Sequence, residues 1–401
     1  MARAKKETAL TPEERLQAAL VPDWEWPYKL PENWCWTYFK SISTIQTGRK
    51  DANYGSDEGK YPFFTCAAEP IRCHGYSFDC RAILLAGNGD INNISRYNGK
   101  FEAYQRTYVV KIAEPLCFDY IFYWFKYRWF DFNKGKMFGT AIPYIRLGNL
   151  QEFPTPIPPL AEQQRIVDRI ESLFAKLDEA KEKAQAVVDS FETRKAAILH
   201  KAFTGELTAK WREEHGVSID NWKTTRFDSV AAIRSNLVDP AEYQSFPHIA
   251  PDNIEKKTGV LLEYHTIAED GVTSGKHRFY SGQILYSKIR PYLSKAVVVD
   301  FDGLCSADMY PIEAYQNARC LWYYMLSDEF LLQASTAGSR SVLPKINQKE
   351  LSALTVHLPT NDREQEEIAR ILDELFDKEQ QTKEAAEVVL DQIDLMKKSI
   401  L

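Results

Sequence analysis

The fold is decided by the stretch EQQRIVDRIESLFAKLDEAKEKAQAVVDSFETRKAAILHKAF (162–203), in which apolar residues recur at alternating intervals of four and three. These recurring positions are Ile166, Ile170, Leu173, Leu177, Ala180, Ala184, Val187, Phe191, Arg194 and Ile198. Adding 202 to each number gives a second series, Ile368, Leu372, Leu375, Glu379, Thr382, Ala386, Val389, Ile393, Met396 and Ile400. Both series are largely apolar, which predicts two long helices with a coiled-coil seam. The alternative is that each helix packs only on its own domain, but the equal length and identical register favour mutual packing.

The segments around these helices repeat as well. The stretch PENWCWTYFKSISTIQTG (31–48) resembles DNWKTTRFDSVAAIRSN (220–236), and residues 139–167 resemble residues 338–369. A capping-box pattern at Thr11-Pro12-Glu13-Glu14 parallels Leu207-Thr208 after the first helix. The order of arm, globular domain and long helix therefore occurs twice, and the pseudo-two-fold symmetry predicts that the helices run antiparallel.

The globular parts mix strand and helix patterns. Apolar runs such as RAILLAG (81–87) and GQILYSK (282–288) predict strands, whereas FDYIFYWFKYRWF (118–130) and RCLWYYMLSDEFLLQ (319–333) predict buried aromatic helices. This pattern predicts an α+β protein with two globular domains separated by two long antiparallel coiled-coil helices, as a pseudo-two-fold internal repeat. The predicted boundaries are 1–30 for an N-terminal arm, 31–159 for domain 1, 160–203 for helix 1, 204–220 for a linker arm, 221–360 for domain 2 and 361–401 for helix 2.

The net charge of −6 is unevenly distributed along the 401 residues. Residues 31–155 hold 15 lysines and arginines against 12 acidic residues, whereas residues 361–401 hold 6 against 12. A DNA-binding face is therefore possible as a local patch on the domains. The seven cysteines form no CxxC pair, which favours reduced thiols in the cytoplasm. No apolar run is long enough to span a membrane, and the start does not resemble a secretory signal.

The sequence lacks the common signatures of catalysis. It has no phosphate-binding GxxxxGK[ST], no GxGxxG and no HExxH, and the spacing of Cys66, Cys73, His74 and Cys80 fits no usual zinc site. We therefore expect a non-catalytic protein that binds no metal. Two alternatives remain, a protein with an unrecognised nuclease site and a coiled-coil scaffold without a DNA role, the latter suggested by the acidic balance.

Basic residues mixed with aromatic and amide side chains indicate which loops contact DNA, because Lys and Arg neutralise phosphates while Arg, Asn and Gln read base edges. In domain 1 the candidates are Arg49, Lys50, Arg96, Asn98, Lys100, Gln105, Arg106, Lys134 and Lys136. In domain 2 they are Arg234, Asn236, Lys276, Arg278, Lys288, Arg290 and Arg340. For any single residue a solvated surface charge is an equally good interpretation, but the loops taken as sets favour DNA.

Three segments together resemble a known family. The stretch PPLAEQQRIV (158–167) leads into a helix that ends AAILHKAFTGEL (196–207), and it is similar to the conserved region of type I restriction–modification specificity subunits. The Asn-Trp opening of each domain and the opening TPEERLQAALVP (11–22) are similar too. The second repeat stops at Leu401 without a counterpart of HKAFTGEL (200–207), so we expect it to be trimmed.

The resemblance implies a non-catalytic subunit of a DNA methyltransferase and endonuclease complex in phage defence. The globular parts would be target recognition domains that bind double-stranded DNA at a split site. The partners implied are two methyltransferase subunits and the restriction and translocase subunits. S-adenosylmethionine, ATP and magnesium would be bound by those partners, and no cofactor by this chain. A helix of 42 residues is roughly 60 Å long, enough to separate two half-sites by at least one duplex turn of about 34 Å.

Overall fold

In the computed structural model, which describes residues 11–337 and 343–400, the two halves of the repeat fold into two units. Unit 1 lies within residues 1–182 and 391–401, and unit 2 comprises residues 183–390. The boundary between the units therefore runs through both long helices, whereas we predicted each helix as a segment separate from the domains. Both units mix helices and sheets, which confirms the predicted α+β class.

Within residues 11–182, unit 1 has one long, one aromatic and two short α-helices, with eight strands. The helices are α1 (Pro12–Ala19), α2 (Phe118–Asn133), α3 (Leu147–Gln151) and α4 (Leu160–Asp189), of which α4 continues past the unit boundary. The strands are β1 (Cys35–Tyr38), β2 (Ser43–Thr47), β3 (Tyr61–Phe64), β4 (Ile71–Cys73), β5 (Phe78–Ala86), β6 (Ile94–Ala103), β7 (Thr107–Ile112) and β8 (Pro154–Ile157). The capping box predicted at the start of α1 is confirmed, because the Thr11 hydroxyl accepts from the Glu14 N–H and the Glu14 carboxylate accepts from the Thr11 N–H.

The core of unit 1 forms between a six-stranded sheet and the aromatic helix α2. The sheet has the order β2-β7-β5-β6-β3-β4, with β3 and β6 parallel and the other pairs antiparallel, and β1 pairs with β8 separately. Nine of the 16 residues of α2 are buried, so tertiary packing outweighs the modest helix propensity of its aromatic residues. The buried Gln163 of α4 accepts a hydrogen bond from the N–H of Cys117 (2.9 Å), the residue that precedes α2. This bond joins the start of the long helix α4 to the start of the aromatic helix α2.

Unit 2 repeats this plan with more elements. Its helices are α5 (Phe191–Phe203), α6 (Ala209–His215), α7 (Ile267–Asp270), α8 (Ala318–Met325), α9 (Asp328–Ala337), α10 (Gln348–Ala353) and α11 (Asp362–Ile400), of which the end of α11 belongs to unit 1. Its strands are β9 (Trp222–Arg226), β10 (Ala231–Ile233), β11 (Leu237–Val238), β12 (Pro247–Ile249), β13 (His265–Thr266), β14 (Lys276–Phe279), β15 (Ile284–Ser287), β16 (Ala296–Val298), β17 (Gly303–Cys305), β18 (Met309–Ala314) and β19 (Thr355–Pro359). The range 204–220, predicted as a linker arm, therefore contains the helix α6.

The strand orders show that the repeat is one of topology as well as of sequence. The four-stranded sheet β10-β18-β15-β16 of unit 2 has the same order as β2-β7-β5-β6 of unit 1, and β9 pairs with β19 as β1 pairs with β8. A five-stranded sheet, β11-β14-β17-β12-β13, completes unit 2. The junction at the long helix recurs too, because Gln365 accepts from the Asn317 N–H (3.2 Å) at the start of α8.

Two predicted helices are divided in the structure. Residues 319–333, predicted as one helix, form α8 and α9 with a break at Ser327, whose hydroxyl donates to the Tyr324 carbonyl (2.6 Å). Residues 162–203, also predicted as one helix, form α4 and α5 with an interruption at Ser190. There the hydroxyl donates to the Ala186 carbonyl (2.6 Å), a bond that competes with the helical pattern and bends helices. The backbone bonds continue across the interruption, from the Ser190 N–H to the Ala186 carbonyl and from the Arg194 N–H to the Ser190 carbonyl.

The predicted antiparallel packing of the long helices is confirmed within each unit. In unit 1, Lys181 Nζ lies 2.9 Å from Asp394 Oδ1, and Lys397 pairs with Asp178, so the numbers rise on one helix as they fall on the other. In unit 2, Arg194 Nε lies 2.7 Å from Glu379 Oε2, and Lys383 lies 5.0 Å from the centre of the Phe191 ring. Arg194 and Glu379, two of the three polar members of the predicted seam series, thus pair with each other.

The second half of α11 departs from the predicted seam. Thr382, Val389 and Met396 were expected to face the other helix, but all three are exposed. After Glu379 the less exposed positions are Lys383, Ala386, Leu390, Ile393, Lys397 and Ile400. After Glu379 the observed series begins with an interval of four, where the predicted series begins with an interval of three. Both series contain apolar residues, so the spacing in the sequence does not decide between them.

Candidate nucleic-acid interface

In unit 1, four loop segments form a continuous surface, which we call loop edge 1: residues 47–50, 87–89, 104–106 and 136–146. Backbone hydrogen bonds join neighbouring segments, from the Gln105 N–H to the Lys50 carbonyl (2.9 Å), from Gly87 to Arg106 (2.8 Å) and from Ile145 to Gly87 (2.9 Å). Residues far apart in sequence thus form one exposed rim at the end of the six-stranded sheet.

Two glycines make this close approach of loops possible. A Cβ atom on Gly48 would lie 1.9 Å from the Ala103 carbonyl oxygen, and one on Gly87 would lie 2.3 Å from the Arg106 carbonyl oxygen. Both contacts are with backbone, which cannot rotate away as a side chain can. The glycines therefore fix the distance between the loops that hold Arg49, Lys50 and Arg106.

Loop edge 1 brings together five of the candidate residues in unit 1, and a sixth, Lys134, lies next to it. Arg49, Gln105, Arg106, Lys134 and Lys136 are exposed, and Lys50 is half-buried. The Lys50 ammonium lies 4.5 Å from the centre of the Tyr54 ring, and that of Lys136 lies 3.6 Å from the Phe132 ring. Gln105 donates to the Asp51 carboxylate (2.9 Å). This arrangement of cations, amide and aromatic rings has the composition of a nucleic-acid surface, and the individual DNA contacts stay predictions.

Our sequence analysis did not select Arg146, which also lies on loop edge 1. Its guanidinium lies 3.9 Å from the centre of the Phe138 ring and donates to the Tyr144 hydroxyl (3.4 Å), and Phe138 stacks on Tyr144 at 5.6 Å. A signal was available, because Arg146 belongs to the repeated segment 139–167 that we used to align the two halves. We add Arg146 to the candidates.

The other three candidates of unit 1 lie on strand β6. Arg96 contacts Asp119 and Glu171 of helices α2 and α4, and the centre of the Phe122 ring lies 4.9 Å away. Burial opposes the charge, but Asp119 outweighs it, so the pKa of Arg96 lies above its ordinary value. Asn98 and Lys100 are exposed on the same strand. Since Arg96 is engaged by two carboxylates, a DNA contact would require it to leave them.

Unit 2 has a corresponding surface, loop edge 2, formed by residues 234–236, 288–290, 308–311 and 344–346. Its backbone bonds run from Arg234 to the Pro311 carbonyl (2.8 Å), from Lys288 to Asp308 (3.0 Å) and from Ile346 to Lys288 (2.9 Å). The bridge between Ile289 and Lys345 matches that between Asn88 and Tyr144 in unit 1, at an offset of 201. The two loop edges are therefore equivalent parts of the repeat.

The candidates on loop edge 2 differ in how far they are neutralised. Asn236 and Arg290 are exposed, whereas Arg234 is paired with Glu313 (2.8 Å). Lys288 donates to the Ala307 carbonyl, and burial together with the charge of Lys345 lowers its pKa. Arg340 lies outside the described residues. Arg290 is thus an exposed cation on this edge, and no carboxylate among the described residues pairs with it.

Two further candidates lie on strand β14 of the five-stranded sheet. Lys276 is 5% exposed and donates to the Ser274 carbonyl (2.8 Å) and hydroxyl (2.7 Å), and burial lowers its pKa. Its predicted DNA contact would require the ammonium to leave these partners. Arg278 lies among the rings of Tyr243, Phe246 and Tyr280 at 4.9 to 6.0 Å, and its buried Nε has no hydrogen-bond partner among the described residues.

Within residues 11–337 and 343–400, no group of three or more His, Cys, Asp and Glu side chains is arranged to hold a metal ion. Among the helices of that same range, none has the length and apolar character needed to cross a membrane. All seven cysteines are free thiols, including the cluster Cys66, Cys73 and Cys80.

Comparison with known proteins gives a consistent result. The family model described as "Type I restriction modification DNA specificity domain" matches residues 31–188 and 219–389. The type I restriction enzyme EcoDI specificity subunit of Escherichia coli is 41% identical over 370 residues, which cover 87% of this chain and 82% of that protein.

Solved structures show the same fold at low sequence identity. The HsdS subunit from Thermoanaerobacter tengcongensis superposes with a TM-score of 0.61 at 17% identity, covering 94% of this chain and 97% of that one. A chain from a study of complex assembly and conformational transition in a type I restriction–modification system gives the same TM-score and identity, with coverages of 93% and 98%. Both likenesses concern the fold alone.

Proposed function

The chain belongs to the family of type I restriction–modification DNA-specificity subunits, and from that membership we propose that each of its two units reads one half of a bipartite DNA site. The observation that supports this most strongly is the repeated loop edge. Each unit has an exposed rim built from equivalent loops, and both rims carry Arg, Lys and amide side chains. Phosphate contacts by the lysines would set position, and Arg, Asn or Gln would read bases.

The two half-sites should differ in sequence, because equivalent positions carry different chemistry. At the offset of 201, Gly89 of unit 1 corresponds to Arg290 of unit 2, and both donate their N–H to the carbonyl of a corresponding proline, Pro143 or Pro344. Lys134-Gly135-Lys136 corresponds to Ser335-Thr336-Ala337. The backbone supports the same rim in both units, while the side chains on it differ.

The protein would act with partners and not by its own catalysis. Two similar units present two similar docking surfaces, which suits two copies of one methyltransferase subunit, with restriction and translocase subunits added in the full complex. S-adenosylmethionine, ATP and magnesium would be bound by those subunits, in the cytoplasm, where cellular DNA is modified. A target base must be flipped into the partner's pocket, and this subunit would hold the duplex in position for that step.

A domain exchange tests the proposal directly. Residues 31–155 would be replaced by the corresponding segment of another family member, and the methylated sequence in cells expressing the methyltransferase subunits would be read genome-wide. We expect one half of the motif to change and the other half to persist. An altered sequence in both halves, or in neither, contradicts the assignment of one half-site to each unit. DNA cleavage by the purified chain with magnesium alone would instead support a nuclease.

Within loop edge 1, we expect Arg106→Ala to weaken DNA binding by the assembled complex about tenfold or more. The residue is exposed, and its carbonyl accepts a hydrogen bond from the Gly87 N–H (2.8 Å) on the rim. Loss of a phosphate contact would weaken all sequences equally and reduce the salt dependence, whereas loss of a base contact would relax one motif position. Binding titrations at several salt concentrations and the methylated motif distinguish the two. The control is Lys40→Ala, an exposed lysine outside loop edge 1; equal effects of both changes would contradict the choice of this rim.

A further inference from the structure

A turn of strained backbone directly follows the segment 288–290 of loop edge 2. Arg290 (φ 48°) and Ser294 (φ 47°) flank the single 3-10 turn Pro291–Leu293. Lys257 (φ 65°) contacts it, because its N–H donates to the carbonyls of Leu293 (3.1 Å) and Ser294 (3.3 Å). These are the non-glycine residues with positive φ in the described part of the chain. A left-handed conformation costs a non-glycine residue free energy and persists only where neighbouring structure enforces it.

The turn has a buried side and an exposed side. Pro291 and Ser294 are buried, whereas Arg290 is exposed and Tyr292 keeps 47% of its surface accessible. On one flank, the Arg290 N–H donates to the Pro344 carbonyl (2.7 Å). On the other flank the turn depends on the bonds from Lys257. The strained backbone therefore presents a cation and an aromatic ring outward.

Lys195 of helix α5 holds the segment that contacts this turn. Its ammonium donates to the carbonyls of Lys257 (2.6 Å) and Thr258 (3.3 Å), and the residue is 8% exposed. The ring of Phe376 in α11 lies 5.6 Å away. Burial lowers the pKa of Lys195 to about 8, although Glu192 and Glu255 oppose this shift. Burying a charged ammonium costs free energy, even where carbonyl groups accept its hydrogen bonds. For stability alone, an apolar residue would be favoured at this position.

We propose that Lys195 is a positioning residue for DNA recognition by unit 2, acting through Lys257 on the turn that presents Arg290 and Tyr292. The ammonium fixes the carbonyls of residues 257 and 258, and the N–H of Lys257 fixes the carbonyls at the end of the turn. The long-helix segment α5 is thereby connected to the surface that meets DNA. This inference rests on the proposed reading of one half-site by unit 2.

The test is Lys195→Met in the full chain, assembled with its methyltransferase subunits. The methionine keeps an unbranched apolar chain out to Cε but lacks the terminal ammonium, so it cannot donate to the two carbonyls. We expect affinity for the cognate site to fall about tenfold and the motif to become degenerate only in the half read by unit 2. The matched control is Lys201→Met, an exposed lysine on the same helix, which should leave both half-sites unchanged.

A second substitution separates positioning from general destabilisation. Ser294→Gly removes the cost of the left-handed conformation at one of the two residues that flank the turn, so the turn needs less enforcement by its neighbours. The double variant Lys195→Met/Ser294→Gly should therefore recover most of the selectivity that Lys195→Met loses. An intact unit 2 half-site in Lys195→Met, equal loss of both half-sites, or no recovery in the double variant would overturn the proposal. Failure of the wild-type complex to select any bipartite site would contradict the proposed function instead.

Discussion

Replacement of Glu364 by alanine is expected to destabilise unit 2 by about 3–5 kcal/mol, the range found when one partner of a buried ion pair is removed. Glu364 is fully buried at the start of α11. One carboxylate oxygen accepts from Thr208 (2.9 Å), Arg212 (2.7 Å) and Trp222 (2.9 Å), and the other accepts from Asn221 (3.0 Å). The alanine variant would leave the indole N–H of Trp222 without an acceptor and the largely buried guanidinium of Arg212 without its counter-ion. We expect a fall in melting temperature of roughly 10 °C, measured by calorimetry.

The repeat supplies a matched control for this change. Glu162 holds the corresponding position in unit 1, but it is partly exposed and pairs with Arg165 one turn away on the same helix. Glu162→Ala should therefore leave the melting temperature almost unchanged. If Glu162→Ala and Glu364→Ala lowered the melting temperature equally, the burial of Glu364 and its four hydrogen-bond donors would not be the source of its stabilising effect.

The same carboxylate should make stability depend on pH. Burial alone would raise the pKa of Glu364, but the bonds from Asn221, Arg212, Trp222 and Thr208 outweigh it, so the pKa is lowered. A carboxylate with a lowered folded pKa contributes stability that is fully present above its unfolded pKa of about 4.3 and is lost as the pH falls through the folded value. The stability difference between the wild type and Glu364→Gln should thus be constant from pH 7 to about pH 5 and decrease below that.

In unit 2 this network joins the short signatures on which the family resemblance was based. The Asn-Trp opening and the Glu-Gln start of the long helix meet at Glu364, and Arg212 also donates to the Gly205 carbonyl (2.7 Å) in the stretch that ends the first long helix. The equivalent Glu162 of unit 1 pairs with Arg165 instead, so the network accounts for the signatures of unit 2 alone. Periodicity likewise predicted the long helices, since burial of one helix face leaves a direct trace in the order of residues.

Other features leave no such trace. The interruption at Ser190 depends on a side-chain bond to a carbonyl one turn earlier, which many helical serines lack. The clustering of Arg106, Gly87 and Tyr144 on one rim depends on strand order, which spacing along the chain does not encode. Likewise, Lys276 and Arg290 are both basic residues in polar stretches, yet one is buried and the other exposed. The composition of the loops predicts a basic surface with amide and aromatic side chains. Which residues lie on that surface is known only from the fold.

Arg290→Gly is expected to stabilise unit 2 and at the same time abolish selectivity for its half-site. The backbone at this position is left-handed, and the equivalent residue of unit 1 is a glycine, Gly89 (φ 75°), with the same hydrogen bond to a proline carbonyl. Glycine adopts this conformation without steric cost, so the substitution should relieve about 1 kcal/mol of strain. The arginine therefore occupies a position for which the backbone favours glycine, and we propose that its exposed guanidinium contacts the DNA.

A second variant separates the two effects. Arg290→Ala also removes the guanidinium but keeps a Cβ atom in the left-handed conformation, so it should lose the half-site without any gain in melting temperature. Loss of a guanidinium that reads a base costs about 1–3 kcal/mol of discrimination, which corresponds to roughly tenfold to a hundredfold relaxation at the positions concerned. Melting curves of the purified protein and the methylated motif of the assembled complex measure the two quantities independently. If Arg290→Gly retained selectivity for the unit 2 half-site, Arg290 would not read a base. If Arg290→Gly lowered the melting temperature, the left-handed backbone at residue 290 would not carry the strain energy inferred above.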